Sequence, residues 1–411
     1  MTDRPALPPG PYLVVGLARS GVAALEALRA RGLEAAGVDR RDGTDGVEAL
    51  EGVATVVKSP GVPQEAAVIA EARRRGVTVM GELELAWRLL PNPFVAVTGT
   101  NGKTTTVELL GHILGPRAVV AGNVGTALSS LEVAPETVVV AETSSFQLED
   151  TLAFAPDVAA LINLGEDHLD RHGTVQAYRE AKLQAFARQT AEQVAVIPDG
   201  LAVGGEAARI RFGGAETADL RLRDGALCWR GERLIGVDEI RLRGAHNVQN
   251  AMVASAVALA LGVDPRGGLK TFAGVPHRLE EVATHDGVVY VNDSKATNVE
   301  STTVALRSFP SGVRLILGGR GKGQDFTPLA PLVAERCASV HLIGEDAERI
   351  GLALGGVAVE VFDDGDLEHA VGHARGLARA GDVVLLSPAC ASYDQFEDFE
   401  ARGEAFRRIV G

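Results

Sequence analysis

The feature that most constrains this chain is a repeated unit: a short apolar strand, a turn carrying glycine, then a helix rich in alanine and leucine. It occurs first as a strand at 12–15, a turn at 16–18, a helix at 20–31 and a strand at 33–38 that ends at Asp39. Strands that alternate with helices of this length pair in parallel, because the helix carries the chain back across the face of the sheet. Further strands are expected at 54–57 and 77–79, with a helix at 64–75. Two prolines in Pro91-Asn92-Pro93 prevent a helix from running through. The rhythm then restarts, with strands at 94–97, 137–141, 158–164 and 194–197 and helices at 103–114 and 175–188. Short alternating stretches over 205–243, with turns such as Arg223-Asp224-Gly225, predict small antiparallel hairpins. A helix at 246–261 follows, and Val275-Pro276 marks a second boundary. Strands at 288–291, 315–317, 340–343 and 383–386 form the last block. The expected fold is α/β in three domains. They are a Rossmann-like domain at 1–91, a P-loop-type domain at 92–275 with a mostly parallel sheet and a small antiparallel region, and a second Rossmann-like domain at 276–411. The segments 91–93 and 274–276 are the expected hinges.

The length of 411 residues agrees with two to three domains, and the 48 glycines fit a chain with many tight βα turns. A net charge of −14 argues against extended nucleic acid or an anionic membrane surface as a partner, though not against small anions met by a local pocket. Cys228, Cys337 and Cys390 lie far apart, so neither a zinc ribbon nor a thiol redox pair is available. The N-terminal stretch lacks the basic and apolar regions of a signal peptide, and no apolar run reaches membrane length. The expected location is the cytoplasm.

Gly99-Thr100-Asn101-Gly102-Lys103-Thr104-Thr105 is the strongest local signal. It follows a strand and opens a helix, so its backbone amides and the helix dipole can cradle phosphates. Lys103 can reach the outer phosphates and Thr104 can hold Mg²⁺. The loop is shorter than the usual phosphate motif, and a plain glycine turn is the alternative. Glu142 ends an apolar strand, where a magnesium–nucleotide site needs a carboxylate. Asn163-Leu164-Gly165-Glu166-Asp167-His168-Leu169-Asp170 places three carboxylates and a histidine after another strand. Lys182 reads as a solvated helix lysine, and Asn247 as a helix cap with Asn250 three residues on. Gly318-Gly319-Arg320-Gly321-Lys322-Gly323 is a second loop suited to an anion. Cys390 has no basic partner in sequence that would activate it. Gly16-Leu17-Ala18-Arg19-Ser20-Gly21 with Asp39 beyond it approximates a dinucleotide fingerprint, with Ala18 in place of the middle glycine. NAD, another nucleotide-like ligand and a purely structural turn all remain open for that segment. An NAD-linked oxidoreductase and a nucleotide-binding switch protein are therefore two functional classes that these loops leave open.

Taken together the motifs resemble the Mur ligases. The resemblance rests on GTNGKTT (99–105), AGNVG (121–125), ETSSFQLE (142–149), NLGEDHLDRH (163–172), YREAKLQAF (178–186), HNVQN (246–250), PHRLE (276–280), NDSKATN (292–298), GGRGKGQDF (318–326) and SPACASYDQFEDFEARG (387–403). It covers essentially the whole chain, and NDSKATN (292–298) together with SPACASYDQF (387–396) looks particular to the branch that takes D-glutamate. The resemblance implies an ATP-dependent amide ligase that acts in peptidoglycan precursor synthesis. D-glutamate is added to UDP-N-acetylmuramoyl-L-alanine through an acyl phosphate and a tetrahedral intermediate. Lys103, Thr104 and Glu142 would hold the triphosphate and one Mg²⁺. His168 would hold a second Mg²⁺ together with Lys182, carbamylated so that it acts as a carboxylate. Asn123 would lie near the reacting carboxylate. Asn247, Asn250, Arg278 and Asp293 are the implied ATP contacts, with Lys295 near the phosphates. Lys295, Thr297, Lys322, Ser392 and Phe399 match D-glutamate positions. Arg19, Ser20, Asp39, Arg40 and Ser59 would hold the uridine diphosphate group in place of NAD, although Arg40 departs from the residue usual after that aspartate. The family also implies a monomer.

Overall fold

A computed structural model describes residues 4–43, 45–123, 125–242, 244–321 and 323–411. Residues 4–242 with 246–272 form one compact unit, and 244–245 with 273–411 a second.

The first unit holds two sheets. The smaller contains β1 (Tyr12–Val15), β2 (Ala35–Val38), β3 (Thr55–Lys58) and β4 (Thr78–Gly81), all parallel in the order 2-1-3-4. β1 and β3 are buried along their whole length, as expected of parallel strands covered on both faces. The larger sheet runs 13-12-11-10-9-8-5-7-6. Its strands are β5 (Phe94–Thr98), β6 (Ala118–Gly122), β7 (Val138–Glu142), β8 (Val158–Leu161), β9 (Val194–Pro198), β10 (Ala208–Gly213), β11 (Leu220–Arg223), β12 (Ala226–Trp229) and β13 (Glu232–Gly236). β5 lies between β7 and β8, all parallel, so the loop after it opens at a point where the strand order reverses.

The second unit holds β14 (Glu280–His285), β15 (Val288–Asn292), β16 (Val313–Gly318), β17 (Cys337–Ile343), β18 (Glu360–Gly365) and β19 (Val383–Leu386) in the order 14-15-19-16-17-18. Only β14 is antiparallel in this sheet.

Several sequence expectations change. The region 205–243 is not simply hairpins: β10 pairs in parallel with both β9 and β11, and only β12 and β13 run antiparallel to their neighbours. Alternation reports which face of a strand is covered, not the direction of the chain. β6, β14 and β18 were not expected, nor was the helix Glu82–Leu89. The helix read at 175–188 stops at Leu183.

Helix Glu82–Leu89 packs into the core beneath the larger sheet, where Trp87 and Phe94 both meet Phe154 edge-to-face. Buried polar groups fasten this junction. Glu84 accepts from the backbone N–H groups of Leu152, Ala153 and Phe154, and Glu82 accepts from Ser129. Asn92, between the two prolines, donates to the carbonyls of Ala134 and Thr137. The segment 91–93 is therefore pinned by its buried asparagine and is not a free joint.

Candidate active site

The glycine loop follows β5 and ends at the helix Lys103–Leu114. Gly102 is the residue before that helix and has φ +85°. A Cβ at Gly102 would be strained and would sit 2.1 Å from Asn250 Oδ1, so the turn and the packing both require glycine. Lys103 folds back and donates to the carbonyls of Gly99 (2.9 Å) and Thr100 (2.8 Å). Thr104 and Thr105 are buried in the first turn.

The loop is braced from outside. Asn163 Oδ1 accepts from the amides of Thr100 (3.1 Å) and Asn101 (3.0 Å). The Thr100 hydroxyl accepts from Gly165 N–H and from the buried Tyr178 hydroxyl. Neither Asn163 nor Tyr178 was singled out from sequence. Their signal was membership of the polar motifs at 163–172 and 178–186, which says nothing of the loop they support. Beside Asn163, residues 162–164 and 198–201 line a cleft of about 380 Å³ with Gln249.

Lys182 overturns its sequence reading. It is not solvated but 1% exposed, donating to Gly99 O at 2.9 Å with its Nζ 4.5 Å from the Tyr178 ring centroid. Burial, and then the nearby Lys103 charge, bring its pKa down to about 7. The neutral amine is therefore within reach near pH 7.

Glu142 ends β7 and is buried. One carboxylate oxygen accepts from Asn123 Nδ2 at 3.0 Å, and the other is buried without a hydrogen-bond partner. Such an oxygen suits a cation. His168 is exposed, with φ +51°, at the start of the short helix Leu169–His172, and its ring lies 4.8 Å from Phe146. Its neighbour Asp167 and Glu142 both act electrostatically on Lys182, so these charges share one region. Asn247 lies inside the helix Ala245–Ala260, not at its cap, and accepts from Asn250 Nδ2 at 3.0 Å.

In the smaller sheet, Gly16 has φ +86° and Ser59 donates to its carbonyl. A Cβ at Gly21 would come within 1.8 Å of that carbonyl. Asp39 accepts from Leu17 N–H at 2.7 Å and pairs with Arg41 at 2.8 Å, and these bonds hold its carboxyl well below the usual range. Arg41, absent from the sequence reading, also donates to Leu17 O. Arg19 and Arg40 are exposed and Ser20 is half-buried.

In the second unit, Asp293 is buried, accepts from Ser387 Oγ (2.7 Å) and Leu279 N–H (3.2 Å), and has its pKa raised to about 7 by desolvation. Arg278, whose charge opposes that rise, sits in a turn where His277 and Leu279 have positive φ. Lys295 lies over the Phe399 ring at 5.7 Å, and Thr297 N–H donates to Lys295 O. Ser392 is buried after β19. Arg402, which sequence reading passed over, is 1% exposed and ties Ser294 to the Cys390 carbonyl. Lys322 lies outside the described residues. Burial pushes the Cys390 thiol up to about 12, which removes it as a nucleophile.

Two family models match the chain: the Mur ligase middle domain over residues 97–258 and the Mur ligase glutamate ligase domain over 277–390. The UDP-N-acetylmuramoylalanine--D-glutamate ligase of Geotalea uraniireducens is 42% identical, over 97% of this chain and 96% of the relative. The protein of the same name from Anaeromyxobacter dehalogenans is 44% identical over 97% and 96%. Among solved structures, the UDP-N-acetylmuramate-alanine ligase of Thermotoga maritima superposes with TM-score 0.58 at 19% identity, covering 97% of this chain and 99% of that one. The MurF ligase of the same organism, solved in complex with ADP, gives 0.58 at 18% identity over 98% and 96%.

Proposed function

The chain belongs to the Mur ligase family, and on that premise we propose that it catalyses the ATP-dependent joining of D-glutamate to UDP-N-acetylmuramoyl-L-alanine in peptidoglycan precursor synthesis. The observation that carries the mechanism is Lys182, a buried amine poised near neutrality and bonded to the glycine loop itself.

ATP phosphorylates the substrate's terminal carboxylate. The D-glutamate amine attacks the acyl phosphate, and the tetrahedral intermediate collapses to amide and phosphate. Two Mg²⁺ ions, when bound, would supply charge neutralisation as a phosphoryl group passes between anions. The orphaned Glu142 oxygen, with Thr104, fits one of them. His168 and Lys182 would hold the other, Lys182 as the carbamate that its neutral amine forms with CO₂. In the resting loop the Lys103 ammonium is held by two carbonyls, and it would turn from them to the phosphates. Asn123, tied to Glu142, would orient the reacting carboxylate.

Asn247, Asn250, Arg278, Asp293 and Lys295 are assigned to ATP. Arg19, Ser20, Asp39, Arg40 and Ser59 are assigned to the uridine diphosphate. Lys295, Thr297, Lys322, Ser392 and Phe399 are assigned to D-glutamate, whose two carboxylates call for a lysine and hydroxyl donors. Each of the three sheets is then the centre of one domain, at 1–91, 92–275 and 276–411. By the family resemblance the enzyme is assigned to the cytoplasm as a monomer. No helix among the described residues is long and apolar enough to cross a membrane.

An amino-acid panel tests the assignment. With UDP-N-acetylmuramoyl-L-alanine and Mg-ATP, D-glutamate should stimulate phosphate release. Stimulation by L-alanine, L-lysine or diaminopimelate in its place would overturn it.

A further inference from the structure

We infer that the second unit carries a binding site for one divalent transition-metal ion of the zinc class, formed by His341, Asp364 and His373. None of these residues belongs to the candidate active site. Their ligand atoms lie within 4.8 Å of one another. β17 and β18 run parallel, which brings His341 beside Asp364, and the helix Leu367–Leu377 lays His373 across the same carboxylate. The two Asp364 oxygens are divided between the imidazoles, 2.7 Å from His341 Nδ1 and 2.8 Å from His373 Nδ1. The ring centroids of the histidines are 5.0 Å apart. Phe362 packs on both, at 5.4 Å and 4.3 Å, and fixes their orientation.

The surroundings are those of a ligand set. His341 is fully buried and its other nitrogen, Nε2, is 2.9 Å from Ser339 Oγ. Metal-bound imidazoles generally have such a partner on the far nitrogen, because it sets the tautomer and the ring angle. Burial holds the His341 pKa below its ordinary value, which keeps it in the neutral form that binds metal. When an ion enters, the Nδ1 proton of each neutral imidazole is replaced by one on Nε2. His341 Nε2–H then donates to Ser339, and His373, whose side chain is 37% exposed, can direct its Nε2–H to water. No net proton is lost. The nearby cation Arg314, which bonds Ser339, is offset by Asp382 at 2.9 Å. Two imidazole nitrogens and one carboxylate oxygen suit zinc and its neighbours, whereas magnesium prefers oxygen ligands.

The test uses the full chain, stripped of metal by chelation and kept in excess Mg²⁺. Zn²⁺ is titrated against a chromogenic competitor. The wild type should take up one equivalent that Mg²⁺ does not displace, and Zn²⁺ should raise its unfolding midpoint. Asp364→Asn and His373→Gln should weaken that equivalent at least tenfold and abolish the shift in midpoint. Ser339→Ala should weaken it by about 10- to 100-fold. His369→Gln, on the same helix but exposed and paired with Asp366, should behave as wild type. Unfolding without metal verifies that each variant is folded, and His373→Gln, at a partly exposed position, is the one to rely on if Asp364→Asn is not. A wild type that binds no such equivalent, or a folded His373→Gln that binds it unchanged, overturns the proposal.

Discussion

Two buried lysines in the first unit have opposite partners. Lys58 ends β3 with a fully buried side chain, and its ammonium lies 2.8 Å from Asp150 with a further bond to Val62 O. Lys182, equally buried, has among the described residues no carboxylate as a hydrogen-bond partner and bonds the carbonyl of Gly99. Desolvation lowers both pKa values, but Asp150 is the leading opposing charge at Lys58, while at Lys182 the leading charge is Lys103, which deepens the fall ahead of the opposing Asp167 and Glu142. A buried lysine facing a carboxylate is a fastener, its charge supported by the partner. One facing a carbonyl and another cation is held ready to lose its proton, the condition for carbamate chemistry.

The comparison can be broken at several points. Lys103→Ala has the largest expected effect, because it removes both a phosphate contact and the cation that depresses Lys182: turnover should fall about 10³-fold with the fold intact. A phosphate-release assay with circular dichroism checks this, and near-normal turnover would sink the glycine-loop reading. Lys182→Ala should lose about 10²-fold and recover in part with short-chain carboxylic acids, whereas the same acids should do nothing for Lys103→Ala. Absence of rescue leaves Lys182 without its carbamate role.

At Lys58 the damage should be to stability. Lys58→Met alone leaves the buried Asp150 with only Arg73 and Gln64 among its described partners and should cost about 1–3 kcal/mol, while Lys58→Met with Asp150→Leu should restore part of the loss. Urea melts give both numbers; equal losses in the single and double variants would mean that the pair is not the fastener.

The pH dependence is the subtlest contrast. Lys182 has a folded pKa of about 7, far below its unfolded value, so between the two the unfolded chain binds the extra proton. The cost of burying the charged amine is therefore fully present below pH 7, and it is relieved as pH rises toward the unfolded pKa. Measured against Lys182→Met, the wild type should gain stability across that window, by roughly 1.4 kcal/mol per unit of pKa difference. A flat difference would show the amine is charged when folded.

These two lysines also show how far sequence reading reaches. The loop at 99–105 was legible because strand, glycine, lysine and helix are consecutive, and the chemistry is local. Lys182 was not, since helical periodicity alone cannot say that Tyr178 and the loop close over it. Asp150, Asn163, Arg402 and the His341–Asp364–His373 group belong to the same class. Their partners stand 92, 63, 108 and 23 positions away, so only the packed sheets bring them together. The α/β rhythm was legible because parallel strands are buried on both faces and read as apolar runs. β14 and β18, largely half-buried or exposed at the edges of their sheet, gave no such run.

The fastener has one more consequence. Lys58 is next to Ser59, which holds the Gly16 carbonyl, and Asp150 is next to Glu149, which holds Arg171 and His172. A fluctuation that frees the turn at Gly16 must therefore strain the contacts of the helix that begins just after His168. In hydrogen exchange the amides of Leu17 and His172 should open as one cooperative block, with matching protection, although 155 positions separate them.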